Sequence, residues 1–151
     1  MKTTIILIAL FFASFTLFAK APRGVPDNVK ESFTKLYPGV TDVKWDKEDA
    51  NHFEAEFEEN GKTVTVTFDS YGVLLETENE IGISELPANI QTVINQKYDG
   101  FKITVASKIV DNYGAITFEA EIEKDNLKKD IIFDKDGNFI KEQAADDEDD
   151  D

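Results

Sequence analysis

The chain has 151 residues, of which 41% are hydrophobic and 11% aromatic, enough to form the core of one ordinary domain or two very small ones. Its 31 acidic and 16 basic residues give a formal charge of −15. Such a charge repels phosphate backbones, so no nucleic-acid partner is expected. It is typical of a well-solvated protein surface, and a partner with a basic surface is the alternative interpretation. Because cysteine is absent, the composition excludes disulfides, thiolate metal sites and a lipidated cysteine.

Residues 1–19 have the pattern of a secretory signal peptide. Lys2 provides a positive charge near the N-terminus, and an almost wholly apolar run follows it up to the small residues Ala19 and Ala21. That run spans roughly 21 Å as a helix, less than the ~30 Å hydrocarbon core of a bilayer. Cleavage after Ala19 is favoured, and cleavage after Ala21 is the alternative, which would leave Pro22 next to the scissile bond. We therefore expect a periplasmic or secreted protein that is free of the membrane once the signal is removed.

Several blocks of the remaining sequence occur twice in the same order, which indicates an internal duplication. The spacing between copies is 61 residues early in the repeat and 65 later, so the second copy holds four extra residues between its first two strands. The predicted organisation is a linker at 20–24, repeat 1 at 25–80, repeat 2 at 86–143 and a disordered acidic tail at 144–151. The matched blocks are Val25-Pro26 with Leu86-Pro87, Tyr37-Pro38-Gly39 with Tyr98-Asp99-Gly100, Phe53-Glu54-Ala55-Glu56-Phe57 with Phe118-Glu119-Ala120-Glu121-Ile122, and Phe68-Asp69 with Phe133-Asp134.

Each repeat is predicted to be one helix followed by four strands. The helices are indicated by apolar residues at helical spacing, and the strands by alternation of apolar and polar residues. Asn60-Gly61 predicts a type I′ hairpin, and further turns are predicted at 70–72 and 136–137. The apolar stripe of the first helix is Val29, Phe33, Leu36 and Tyr37, and that of the second is Ile90, Val93, Ile94 and Tyr98. The apolar positions of the strands are Val43, Trp45, Phe53, Ala55, Phe57, Val64, Val66 and Phe68 in repeat 1 and Ile103, Val105, Ile116, Phe118, Ala120, Ile122, Ile131 and Phe133 in repeat 2.

A helix with one apolar stripe and a sheet with one apolar face bury each other by packing together. The predicted fold class is therefore α+β, a tandem repeat of one helix and a four-stranded antiparallel meander. The favoured arrangement is one continuous eight-stranded sheet with both helices on one face, because joining the repeats removes two exposed edges. The alternative is two small domains tethered near 81–85. In either case we expect the opposite, polar sheet face to be open to water.

The sequence contains few residue patterns typical of catalytic sites, and we predict that the protein is not an enzyme and holds no cofactor. His52, the only histidine, follows the turn residue Asn51 at the start of a predicted strand, so we interpret it as a surface side chain rather than the base of a serine-type triad. No second imidazole or thiolate is present to complete a zinc site with it. The 134–138 segment, Asp-Lys-Asp-Gly-Asn, is faintly similar to a calcium loop, but it lacks the later acidic ligand and lies at a predicted hairpin. No metal ligands are therefore assigned, and no glycine-rich phosphate loop is present.

The chain resembles the PepSY-like family of small exported bacterial proteins. The motifs that carry the resemblance are the proline-headed helix ending at 37–39, the 43–45 strand, the 53–57 strand and the turn at 68–72. The resemblance implies a fold like that of tandem β-lactamase-inhibitor proteins, a periplasmic or secreted location and a role in binding or inhibiting other proteins. It supplies no catalytic residues. Repeat 2 departs from the pattern, with Asp99 in place of Pro38 and no tryptophan equivalent to Trp45.

The leading functional hypothesis is a non-catalytic binding module that holds a protein or peptide of the cell envelope through the polar face of the sheet. The alternative is a calcium- or small-ligand-binding protein of the envelope, based on carboxylate density. The sequence leaves the oligomeric state open. The residues assigned to partner binding alternate with the apolar positions of the strands and are Lys44, Asp46, Glu54, Glu56, Thr65, Thr67, Glu119 and Glu121.

Overall fold

The computed structural model describes residues 24–144, with nothing described of the Ala144 side chain. The predicted signal peptide, residues 20–23 of the linker and residues 145–151 of the predicted tail lie outside these residues, whereas Ala144, predicted to begin the disordered tail, is the last residue of a strand. Each repeat contains one helix and four strands, as predicted. The first comprises helix α1 (Asp27–Leu36) and strands β1 (Lys44–Asp46), β2 (His52–Glu59), β3 (Lys62–Asp69) and β4 (Leu74–Glu80); the second comprises a 3-10 turn (Ile83–Glu85), helix α2 (Ala88–Lys97) and strands β5 (Lys102–Asp111), β6 (Ile116–Lys124), β7 (Leu127–Asp134) and β8 (Phe139–Ala144).

The eight strands form one antiparallel sheet in chain order, β1 to β8. The two repeats are joined where β4 pairs with β5, in a register that runs from Glu76 opposite Asp111 to Glu80 opposite Ser107. This confirms the α+β class and the single continuous sheet, and the alternative of two tethered domains is wrong. Pairing β4 with β5 satisfies two strand edges that would otherwise present unpaired N–H and C=O groups.

The core lies between the helices and the apolar face of the sheet, in two clusters, one for each repeat. In the first, Phe33 of α1 packs edge-on against Phe57 of β2 and against Trp45 of β1, at ring-centroid distances of 5.4 Å in both cases. In the second, Ile90 and Ile94 of α2 are fully buried against β5, β6 and β7. Each helix thus buries its apolar stripe on the same face of the sheet.

Two predicted core positions are wrong. Leu36 is 51% exposed, because it is the last residue of α1 and lies beyond the edge of the packed stripe. Val105 was predicted on the apolar face, but the register shifts between Ile103 and Val105, so Val105 lies opposite Glu121 on the polar side. A β-bulge of this kind inserts one residue and reverses the alternation beyond it.

Two tight turns at one end of the sheet have both central residues at positive φ. Asn60 and Gly61 have φ of 55° and 74°, as a type I′ turn requires, so that predicted hairpin is confirmed. Asp125 and Asn126, between β6 and β7, have φ of 51° and 65° and form the equivalent turn in repeat 2 without a glycine.

Three turns at the opposite end of the sheet share one construction, in which an aspartate carboxylate organises the backbone. Asp69 Oδ1 accepts the N–H groups of Tyr71 and Val73, each at 2.9 Å. Asp111 does the same for the residues two and four positions later, as does Asp134. In each turn the fourth residue is a glycine at φ between 77° and 80°. The first and third turns were predicted, whereas the middle one, at 111–115, was missed.

Each helix is tied to one of these turns through an asparagine in its first turn. Asn28 Nδ2 donates to the carbonyl oxygen of Ser70 at 3.0 Å, and Asn89 Nδ2 donates to that of Asp136 at 2.6 Å. The two asparagines are separated by the same 61 residues as the prolines that begin the repeats. The duplication therefore extends to the contact that fixes each helix against its sheet.

Candidate binding face

The polar face is the side of the sheet away from both helices. The strand register brings most of the predicted residues of repeat 1 next to one another on it: Glu54 lies opposite Asp46 and Thr67, and Glu56 opposite Lys44 and Thr65. Glu119 and Glu121 lie on the same side of β6, opposite residues of β5. The placement of the predicted set on one face is thus as the alternation indicated. Its role in binding remains a prediction.

The expectation that this face is an open hydrophilic surface is wrong. Glu54 is 4% exposed and Glu119 is 3% exposed. Glu121, Thr65 and Thr67 are also buried. Among the eight predicted residues, Lys44 and Asp46 are exposed and Glu56 is half-buried. The accessible part of the predicted set therefore lies at the β1 edge.

We attribute this burial to curvature of the sheet towards its polar side. Glu76 lies on β4 and Lys141 on β8, so four strand spacings would separate them by about 19 Å in a flat sheet. Charges that far apart are largely screened in water, yet Lys141 lowers the pKa of Glu76 and of Glu119. Side chains on the inner side of a curved sheet crowd together, which alternation along single strands does not reveal.

The structure adds polar-face residues that the sequence analysis did not select. Glu76 and Glu78 alternate along β4, opposite Thr67 and Thr65 of β3. The pattern Leu-Leu-Glu-Thr-Glu-Asn-Glu at 74–80 was a signal that could have identified them. The remaining additions are Ser107, Asp130 and Lys141, from β5, β7 and β8.

Burial raises the pKa of several carboxyl groups on this face. The pKa of Glu54 rises to about 10, first through burial and then through the nearby Glu48 and Glu78. The pKa of Glu78 rises to about 8 for the same first reason, and that of Glu76 to about 7. Burial also raises the pKa of Glu119 well above its ordinary value. At neutral pH, burial therefore favours the protonated forms of Glu54 and Glu78 over their ionised forms.

Glu78 is the least satisfied of these groups. Neither of its carboxyl oxygens makes a hydrogen bond of normal geometry within the described residues, and the same holds for the hydroxyl of Ser107. Ser107 nonetheless lowers the pKa of Glu78, so the two groups are close neighbours. Buried polar groups in folded proteins are nearly always paired, so an unpaired one calls for an explanation such as an ordered water, a bound ion or a functional role.

Glu121, at the other side of the face, is better satisfied. The hydroxyl of Thr104 donates to its Oε1, and Lys128 Nζ lies 3.5 Å from its Oε2. Among the carboxyl groups near Glu78, Lys141 lowers the pKa of Glu76 and of Glu119, but burial outweighs its effect.

His52 is half-buried at the start of β2, and its Nδ1 lies 2.8 Å from Oδ2 of Asp49. Asp49 Oδ1 also accepts the backbone N–H groups of Asn51 and His52, and these hydrogen bonds, with that of the imidazole, lower the pKa of Asp49. The contact between Asp49 and His52 thus joins the loop between β1 and β2 to the first residue of β2. Across residues 24–144, no group of three or more histidine and acidic side chains is arranged to hold a metal ion.

The face also lacks a small-ligand cavity at its accessible edge. The cleft lined by Lys44, Asp46, Glu54 and Glu56 has a volume of only about 10 Å³. Ligand pockets usually enclose about 300–1,000 Å³. None of the described helices is long and apolar enough to cross a membrane.

Comparison with protein families identifies one family, whose two matched segments together cover most of the chain. The model of the family described as "Putative beta-lactamase-inhibitor-like, PepSY-like" matches residues 21–76 and, overlapping these, residues 51–141. Two matches to one family model in a single chain agree with the duplication seen in the helix and strand order. No curated protein matches the chain.

Solved structures of several Bacteroides proteins share the fold. A DUF2874 family protein from Bacteroides uniformis has a TM-score of 0.68 at 21% identity, over 79% of this chain and 88% of the other. A protein described as a "putative periplasmic" protein from Bacteroides eggerthii has a TM-score of 0.69 at 21% identity, over 80% and 88%. A BLIP-like protein from Bacteroides fragilis has a TM-score of 0.62 at 22% identity, over 85% and 93%.

Proposed function

The chain belongs to the PepSY-like family, and from that membership and its polar face we propose that it is a non-catalytic module that binds another protein of the cell envelope. The observation that carries the proposal is the group of buried carboxyl groups around Glu78, whose pKa values are raised by burial and in which Glu78 itself completes no hydrogen bond within the described residues. Folded proteins tolerate such arrangements mainly where they serve a function. A basic partner would supply the missing positive charge.

A basic partner would first contact the polar face at its accessible edge, beside β1. Asp46 is exposed and Glu56 is half-buried, and Glu54 lies next to both in the register. The positive charge of a lysine or arginine at this edge lowers the pKa of nearby carboxyl groups and favours their ionised forms. Binding should therefore release protons, and the affinity should rise with pH as these groups ionise.

The proposed location is the periplasm or the exterior of the cell. Support comes from the signal-peptide pattern of residues 1–19 and from the similarity to a Bacteroides protein described as "putative periplasmic". Fractionation of the source bacterium, with N-terminal sequencing of the recovered protein, tests this. A mature chain that begins at Lys20 or Pro22 is the expected result, and recovery of the intact N-terminus from the cytoplasm contradicts it.

The binding proposal is tested by capture of partners from envelope extract, with identification by crosslinking. We expect capture at low salt to be lost at about 1 M salt, where the screening length is about 3 Å. The double variant Asp46→Asn/Glu56→Gln should reduce it strongly. Asp27→Asn/Glu31→Gln is the matched control, since it removes two charges from α1, on the other side of the sheet. Equal losses in both variants, or capture indifferent to salt, would count against the polar face.

A further inference from the structure

Two turns at one end of the sheet present a tyrosine to solvent at equivalent positions. Tyr71, the third residue of the turn that begins at Asp69, is 84% exposed. Tyr113, the third residue of the turn that begins at Asp111, is 91% exposed. Neither ring contributes to the core. Both are carried on backbone that an aspartate carboxylate already fixes, so little order is lost when they bind.

The two tyrosines lie on neighbouring hairpins, because β4 pairs with β5. The centres of the β3–β4 and β5–β6 hairpins are two strand spacings apart, about 10 Å. Val73, beside Tyr71, is 50% exposed and extends the apolar surface. A single extended segment of a partner can therefore contact both rings.

The end of the polar face next to this pair of turns is acidic. Glu76 of β4 is directly opposite Asp111, the residue that begins the Tyr113 turn. Glu48, in the loop between β1 and β2, lies near enough to raise the pKa of Glu76. Each tyrosine also follows an aspartate by two residues and donates its backbone N–H to that carboxylate, so a carboxylate lies in the same turn as each ring. The side chain that combines stacking on an aromatic face with forked hydrogen bonding to a carboxylate is arginine, which does both better than lysine.

We propose that Tyr71 and Tyr113 are aromatic anchors of the partner contact and that they select a protein segment carrying arginine. This inference rests on the proposed function, because the Tyr113 turn begins at Asp111, directly opposite Glu76 of the face assigned to the basic partner. It adds a specificity that net charge does not provide.

The test uses fluorescently labelled hexa-arginine and hexa-lysine peptides, which carry equal charge, with the full mature chain. By fluorescence anisotropy at low salt we expect the arginine peptide to bind about tenfold more tightly, which equals about 1.4 kcal/mol. In Tyr71→Ser/Tyr113→Ser both peptides should bind with the same, weaker affinity. The third turn carries Asp136 at this position, so the construction accepts a short polar residue. Leu127→Ser, an exposed apolar residue at the opposite end of the sheet, is the control and should keep the preference.

Amide chemical-shift changes on adding the arginine peptide should centre on Gly72 and Gly114. Equal affinity of the wild-type protein for the two peptides would overturn the inference and leave the proposed function standing. An arginine preference that survives in the double tyrosine variant would also overturn it. Failure of the wild-type protein to bind either peptide would count against the proposed basic partner itself.

Discussion

The carboxyl group of Glu78 neighbours the hydroxyl of Ser107 inside the polar face, yet neither group completes a hydrogen bond within the described residues. An ionised carboxylate in such surroundings would cost several kcal/mol, so the group keeps its proton instead. Burial therefore favours the protonated forms of Glu54 and Glu78 and lowers the negative charge of the polar face in the free protein. Its charge depends on pH and on what binds to it.

The first prediction is that stability falls as the pH rises above the ordinary carboxyl range. An unfolded glutamate has a pKa near 4.5, whereas the folded values are about 8 for Glu78 and about 10 for Glu54. Between these limits the folded protein binds more protons than the unfolded chain, so the free energy of unfolding decreases with pH. We expect the melting temperature at about pH 9 to be lower than at about pH 5 by at least about 5 °C.

The variant Glu54→Gln/Glu78→Gln/Glu119→Gln provides the control, since glutamine resembles a protonated glutamate in shape and does not ionise. Its melting temperature should change much less between about pH 5 and 9. Carboxylates with lowered pKa, such as Asp49 and Asp134, lose their contribution only as the pH falls below their ordinary values, outside this window. A wild-type protein as insensitive to pH as the triple variant would contradict the assignment.

The second prediction is that the two repeats unfold as one unit. The sheet is continuous through β4 and β5, and Ile94 of the second core is 1% exposed. Ile94→Ala should cost about 2–5 kcal/mol through lost burial and the cavity left behind. Trp45, the only tryptophan, lies in the first core and reports on repeat 1 by fluorescence. Its unfolding midpoint in denaturant should fall in Ile94→Ala, together with the circular dichroism signal. An unchanged Trp45 midpoint would indicate independent repeats.

Most of the fold could be predicted because its signals are local and occur twice. The prolines that begin the repeats, the helical stripes and Asn60-Gly61 each report on a few neighbouring residues. The bulge before Val105 could not be predicted, because the four extra residues of repeat 2 reveal a difference in length without its position. The missed 111–115 turn did have a signal, since Asp-Asn-Tyr-Gly has the same aspartate and glycine positions as the turn at 69–72.

The candidate site was predicted less well than the fold, because its character depends on contacts between distant strands. Alternation correctly placed Glu54 and Glu119 on one face, but their burial follows from curvature that brings β4 near β7 and β8. No pattern within one strand encodes that curvature. The exposed tyrosines were equally hidden from the sequence analysis, since exposure at a turn depends on whether a helix covers it.

The third prediction compares two glycines with the same backbone and different surroundings. Gly72 and Gly114 both have φ of 80° and occupy the same position in equivalent turns. A Cβ at residue 72 would lie 2.9 Å from the backbone oxygen of Asn28, whereas one at residue 114 would meet nothing within 4 Å. Gly114→Ala should therefore cost about 1–2 kcal/mol, the penalty of a left-handed alanine. Gly72→Ala should cost more, because α1 must shift; equal costs in denaturant unfolding would argue against this contact between helix and turn.

The fourth prediction concerns the two type I′ turns at the other end of the sheet. Asn126 has φ of 65° at the position that Gly61 occupies in repeat 1. Asn126→Gly should raise the free energy of unfolding by about 0.5–1 kcal/mol, because glycine adopts this conformation without strain and Asp-Gly suits the turn. The reciprocal change Gly61→Asn should lower it by a similar amount, since the space around Gly61 is open and only the backbone preference changes. Chemical denaturation of the two variants measures both effects, and changes of the same sign would show that side-chain contacts, rather than backbone conformation, determine the stability of these turns.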